Sequence, residues 1–274
     1  MIRHAESMNN EVYRNARHLY KGGTAQFDAQ GWKSYVEKHR TADPTISSNG
    51  TIQAERLKQY LVPHLNNQAR HPVEIITSPM NRTIQTILPT LQELKGDKVD
   101  VVVNGLYFES EGCHLKDVPK PGMNQHEIRD ILSSAQIHNP SFVGFDHNPN
   151  LGWYSYGTGP ETRSESETRS AAFYTWFCDY LDEQLEKPQE HGIYDAGVTL
   201  PEEIHELDHD KLSKRHRKRR TTILIGHGDF MSLCLKRMVT GFGHSVENFG
   251  IPHRTAFTHF NTGITELEYF GKGE

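Results

Sequence analysis

The chain has 274 residues, 35% of them hydrophobic and 24% charged, with a formal net charge of -5. That length can bury a sizeable core, which excludes a peptide hormone or a disulfide miniprotein, and no stretch approaches the roughly 20 apolar residues that cross a bilayer. With 30 Lys+Arg against 35 Asp+Glu the charge balance gives no general attraction to nucleic acid or to an anionic membrane, so any anion site must be local. Three cysteines, Cys113, Cys178 and Cys234, lack metal-ligand spacing, and their odd count argues against a disulfide framework. With no targeting peptide visible at the N-terminus, a reducing, cytoplasmic setting is expected.

In chain order, residues 47–61 read as a helix. Residues 73–77 form a short β-branched run, followed by Ser78 as a helix cap, Pro79 at the first helical position, and Met80, Ile84, Ile87 and Leu88 at helical spacing. Residues 99–103 are a third apolar run. The stretch 105–160 is rich in Pro, Gly, Asn and His and reads as a cap inserted over one sheet edge, where such insertions shape binding sites. Residues 164–186 read as a long helix, and the basic run from Lys214 to Arg220 as a solvated loop. Residues 221–225 are another strand, broken by Gly226-His227-Gly228 before a helix carrying Phe230, Leu233, Cys234, Met238 and Val239. A hairpin is expected over 256–260 and 263–270, around Asn261-Thr262. Strands alternating with helices predict an α/β fold, a three-layer α/β/α domain over 1–274 with a mostly parallel central sheet.

Three segments put cationic or imidazole groups at one kind of location. Arg3-His4 opens the chain, Arg82 lies in the first turn after the 73–77 strand, and His227 follows the 221–225 strand. In an open α/β sheet the carboxyl ends of the strands line the ligand crevice, and helix N-termini there favour anions. Two arginines and two histidines converging at that edge make a phosphate pocket, because the guanidinium fork matches phosphate oxygens and an imidazole can act as nucleophile.

These segments resemble the blocks of the histidine phosphatase superfamily, the phosphoglycerate mutase-like family. Arg3-His4-Ala5-Glu6-Ser7 with Asn10 is similar to its leading motif. Ile46-Ser47-Ser48-Asn49-Gly50 with Gln53-Ala54, Ser78-Pro79-Met80-Asn81-Arg82-Thr83, Gly226-His227-Gly228 and Asn261-Thr262-Gly263-Ile264-Thr265 then follow in order. The resemblance implies that His4 is a nucleophile forming a phosphohistidine, that Arg3, Arg82 and His227 hold the phosphoryl oxygens, that Asn10 donates to the same group, and that no metal or cofactor is needed. It also implies a general acid in the segment after the third strand. Glu109, behind the apolar pair Tyr107-Phe108 that could bury it, is the choice, with Glu111 its rival. A full apolar strand is expected before the leading motif, where this sequence has Met1-Ile2. The sequence therefore reads as lacking the start of a central strand, and Gly271-Lys272-Gly273-Glu274 as a similarly cut end.

Other readings compete. His205-Glu206-Leu207-Asp208-His209 matches a zinc-protease pattern, but apolar positions to bury such a helix are scarce. Asp146, Asn148 and Asn150 mimic the start of a calcium loop that then fails at Leu151 and Gly157. Within the resemblance, a mutase would need further basic groups after its acid, whereas this sequence continues Cys113-His114-Leu115-Lys116. A phosphomonoester hydrolase acting on a small phosphorylated substrate is therefore expected, with phosphoglycerate mutase-type transfer and a non-catalytic phosphate-binding scaffold as alternatives. Neither a nucleic-acid nor a membrane partner is expected, and the oligomeric state is not legible.

Overall fold

The computed structural model describes residues 1–20, 27–67, 73–94, 99–186, 221–240 and 257–269. Within these, apolar side chains at successive positions of β2 (Val73–Thr77), β3 (Val99–Asn104) and β7 (Thr222–Gly226) make strands buried on both faces, the pattern of a parallel sheet covered by helices. With β1 (Ile2–Arg3) and β6 (Ser141–Val143) they form a five-stranded sheet in the order β1-β7-β2-β3-β6, in which every pairing is parallel. Two two-residue strands, β4 (His114–Leu115) and β5 (Val118–Pro119), pair separately as a small antiparallel ribbon.

Alternation along the strands divides the core in two. Ile75, Val101, Val103, Ile223 and Ile225 face one side, where they pack with Leu57 and Leu61 of α3 (Ser48–Asn67), Ile84, Ile87 and Leu91 of α4 (Asn81–Leu94), and Ile128 and Leu132 of α5 (Gln125–Ser133). Ile76, Val102 and Leu224 face the other side, against Phe173 and Phe177 of α6 (Arg163–Glu186) and Phe230, Leu233 and Cys234 of α7 (Gly228–Thr240). The result is the expected three-layer α/β/α arrangement. Among the described residues no helix is long and apolar enough to cross a membrane.

Three expectations change. The hairpin over 256–270 does not form among the described residues. Asn261 and Thr262 do make a turn, with Gly263 N–H donating to Phe260 O at 2.9 Å, but the chain then runs antiparallel beside β1. Arg3 N–H donates to Gly263 O (3.3 Å), Thr262 N–H to Arg3 O (3.0 Å) and Thr265 N–H to Met1 O (2.8 Å). The physical reason is that β1 pairs with β7 on one side and leaves a row of backbone groups on its other side that need partners. Second, the 105–160 stretch is more than a cover: it supplies β6, the edge strand beside β3, and α5, which packs into the core. Third, the helix after β2 starts at Asn81, two residues past the expected Pro79.

The sequence reading also passed over α1 (Met8–Tyr20) and α2 (Ala29–His39). They pack on each other through Tyr13 against Trp32 and Tyr20 against Tyr35, burying Ala16 and Val36. The excursion is closed at its base by Asn9, which donates to Thr41 O (2.8 Å) and accepts from Thr41 N–H (2.9 Å), and by Met8 N–H to Thr45 O (2.9 Å).

Candidate active site

Because β1, β7 and β2 are adjacent and parallel, their carboxyl ends deliver His4, His227 and Ser78 to one edge, and the first turn of α4 brings Arg82 alongside. The backbone around His4 is fastened on every side. His4 N–H donates to Gly226 O (2.9 Å), Asn261 Nδ2 donates to His4 O (2.8 Å), and Ala5 N–H donates to Thr86 Oγ1 (2.9 Å), whose hydroxyl donates to Arg82 O (2.6 Å). Glu6 N–H donates to Gln53 Oε1 (2.7 Å), Ser47 Oγ donates to Glu6 Oε1 (2.7 Å), and Arg14 pairs with Glu6 Oε2. The segments around Ser47 and Asn261 thus hold the loop that carries His4 in place. Gly50 belongs to this clasp, since a Cβ there would stand 2.1 Å from Glu6 O, inside any tolerable contact. Gly50→Ala should therefore cost about 1–3 kcal/mol, read as a lower urea midpoint; an unchanged midpoint would show that the loop can yield.

His4 is 3% exposed. Its Nδ1 lies 2.6 Å from Ala5 O. A carbonyl only accepts, so Nδ1 carries the proton and Nε2 keeps its lone pair, which accepts from Arg82 Nε at 3.2 Å. Burial, reinforced by the Arg82 and Arg3 charges, holds the imidazole pKa well below its usual value, so His4 is neutral near neutral pH. His227 is fully buried, with its ring centroid 5.3 Å from that of His4 and its Nε2 2.7 Å from Ser78 Oγ. Burial and then Arg82 keep it neutral too. Two polar atoms of this group, His227 Nδ1 and Arg3 Nε, are buried without a hydrogen-bond partner among the described residues, whereas Arg3 Nη1 donates to His259 O at 2.6 Å. Such atoms are the exception in folded proteins and are expected where a ligand completes the bonding.

Glu109 joins this group. Its Oε1 accepts from Phe230 N–H in the first turn of α7 and from Ser110 N–H, each at 3.0 Å. Burial raises its pKa, while the Arg82 charge and the two N–H groups act in the opposite sense. Glu111 is exposed and adopts φ 74°, and its carbonyl accepts from Glu161 N–H (3.0 Å). Of the two carboxyls, Glu109 is the one held against α7, and its charge acts on both Arg3 and Arg82.

Asn10 stands differently. Its Oδ1 accepts from Ser7 N–H and Ser7 Oγ, both at 3.0 Å, so its oxygen serves the start of α1, and no hydrogen bond ties it to His4, Arg3 or Arg82. Asp43, at the return of the α1–α2 excursion, escaped the sequence reading. Its Oδ1 accepts from Asn81 N–H (3.0 Å), and burial raises its pKa to about 6 against the pull of the Arg82 charge. No periodic signal marks it; the turn pair Asp43-Pro44 is the sole local cue. Among the described residues no three His, Cys, Asp or Glu gather as a metal site. The His205–His209 pattern and the Lys214–Arg220 run lie outside the described residues.

No family model and no curated protein matches the chain. Among solved structures it is similar to the ecdysone phosphate phosphatase of Bombyx mori, at 14% identity and a TM-score of 0.44, over 98% of this chain and 84% of that one. It is also similar to a mycobacterial glucosyl-3-phosphoglycerate phosphatase, at 16% identity and a TM-score of 0.38, over 91% and 81% of the two chains. A third similar structure is an open reading frame product of Mycobacterium tuberculosis, at 16% identity and a TM-score of 0.36, over 98% and 94%. The TM-scores of these three structures all lie below 0.5.

Proposed function

We propose that the chain is a phosphomonoester hydrolase of the histidine phosphatase type, acting on a small phosphorylated substrate through a phosphohistidine at His4. The observation that carries this reading is the His4 ring, with its proton fixed on Nδ1 by Ala5 O and its Nε2 lone pair 3.2 Å from the Arg82 guanidinium. In the first step His4 Nε2 bonds to phosphorus as the ester P–O bond breaks, and Glu109 gives its proton to the departing oxygen. In the second, the Glu109 carboxylate takes a proton from water, whose oxygen bonds to phosphorus as the N–P bond breaks, releasing inorganic phosphate. Arg3, Arg82 and His227 hold the equatorial oxygens, and the Asn10 amide donates to the same group. Fixed positive charge where negative charge develops lowers both barriers.

The charge supplied by Arg3 and Arg82 makes catalysis independent of metal, and the buried thiols Cys113 and Cys234 suit a cytoplasmic setting. The testing experiment is a phosphoester panel run with and without EDTA. p-Nitrophenyl phosphate and small alkyl phosphates should release phosphate at rates that EDTA leaves unchanged, and 3-phosphoglycerate with a bisphosphoglycerate primer should yield no 2-phosphoglycerate. Loss of activity to EDTA with recovery on zinc would overturn metal independence, and primer-dependent isomerisation rivalling hydrolysis would replace the hydrolase with a mutase.

A further inference from the structure

We infer that Arg169 is a positioning residue for Glu109, fixing the carboxyl from both of its attachments; the inference rests on Glu109 being the general acid. Arg169 lies on α6, 9% exposed, and spends its guanidinium on the segment that carries Glu109. Its Nη1 donates to Leu106 O (2.8 Å) and Phe108 O (2.9 Å), pinning the backbone immediately before Glu109. The guanidinium carbon sits 3.5 Å from the Phe108 ring centroid and 4.1 Å from that of Phe230. Phe230 is the residue whose N–H holds Glu109 Oε1. One cation therefore touches the residue before the carboxyl and the residue that hydrogen-bonds to it.

The guanidinium is itself aimed. Glu161 takes it in a two-point grip, Nε to Oε1 at 2.7 Å and Nη2 to Oε2 at 2.6 Å, with both side chains less than a tenth exposed. Ser166 Oγ donates to the same Glu161 Oε2 at 2.5 Å, and Glu161 N–H donates to Glu111 O, closing the loop from the other end. A planar fork serves this geometry and an ammonium does not, since four directed N–H bonds and two ring faces must be met at once.

Holding α6 in place does not require this arrangement. Arg237 already ties α7 to α6 through Ser170 Oγ (2.9 Å) and Glu167 O (2.6 Å), Arg163 pairs with Asp229 at 2.9 Å, and Phe173 stacks on Tyr107 with centroids 4.4 Å apart. The contacts of Arg169 instead converge on the acid.

The test compares Arg169→Lys, which keeps the charge and loses the fork, with Glu161→Gln, which keeps the fork and weakens its grip, and with Glu109→Gln. Each is assayed on an alkyl phosphate and on p-nitrophenyl phosphate, whose leaving group needs little proton assistance. Arg169→Lys should lower kcat/KM on the alkyl phosphate, which reports the first step, by about 10- to 100-fold, part of the range of general acid catalysis, and leave kcat/KM for p-nitrophenyl phosphate near wild type. Glu161→Gln, the milder change, should shift the same ratio in the same direction by a smaller factor. Equal losses on both substrates, or no loss on either, would overturn the positioning role, the first by showing a purely structural one. If Glu109→Gln contrasts the substrates and neither other variant does, the Arg169 inference fails alone. If Glu109→Gln shows no contrast, the general acid and Arg169 fall together while the nucleophile stands.

Discussion

His4→Ala should remove essentially all phosphatase activity, with kcat falling by roughly 10⁴- to 10⁶-fold, the scale on which loss of a covalent nucleophile is felt. The size follows from the absence of a substitute. Among the described residues, Arg82 Nε donates to the imidazole nitrogen His4 Nε2, while His227 Nε2 is engaged by Ser78 Oγ. Binding should survive, because Arg3, Arg82 and His227 remain, so the variant should still be competitively occupied by inorganic phosphate. An active His4→Ala protein would remove the covalent mechanism, whatever its affinity for phosphate.

Glu109→Gln should lower kcat/KM for an alkyl phosphate, which reports the first chemical step alone, by about 10² to 10⁴ and that for p-nitrophenyl phosphate far less. The cause is the leaving oxygen: an alkoxide must receive a proton as the P–O bond breaks, and a nitrophenolate need not. The pH dependence follows with its sign. Under the proposed mechanism the protonated form of Glu109 acts in the first step, and burial raises its pKa, so kcat/KM for an alkyl phosphate should fall as pH rises through that raised value. His4 must be neutral, and its lowered pKa moves the acidic limb of kcat/KM below the ordinary imidazole range. In Glu109→Gln the alkaline limb should vanish. Its persistence, or equal losses on both substrates, would move the acid role away from Glu109, first to Glu111.

What the sequence disclosed follows from range. The apolar runs of β2, β3 and β7 are local signals, and a parallel sheet then sends His4, Arg82 and His227 to one edge by topology alone. The α1–α2 excursion gave no comparable signal, because it buries Ala16 and Val36 and otherwise rests on aromatic pairs with polar neighbours. β6 has three residues and none fully buried, too short to stand out in a Pro- and Gly-rich stretch. Gly50 and Gln53 fell within the resembling segments, but their work on Glu6 depends on contacts more than forty residues apart in sequence, as Glu6 to Gln53 is separated by 47 positions. Arg169 reaches Phe108 across 61 positions, and nothing in its own helix distinguishes it from Arg163. The final pairing of the 262–265 segment with β1 was likewise decided by which backbone groups needed partners, and no residue pattern encodes that.

The measurement that bears most directly on the central claim is identification of the phosphorylated residue during turnover. The protein is mixed with ³²P-labelled phosphoester, quenched in alkali where phosphohistidine persists, and the label is mapped by peptide. The account predicts acid-labile, alkali-stable label on His4 in wild type, none in His4→Ala, and accumulation in Glu109→Gln on p-nitrophenyl phosphate, where the second step lacks its base. Label on another residue, or full turnover with no trappable phosphohistidine at His4, would contradict it.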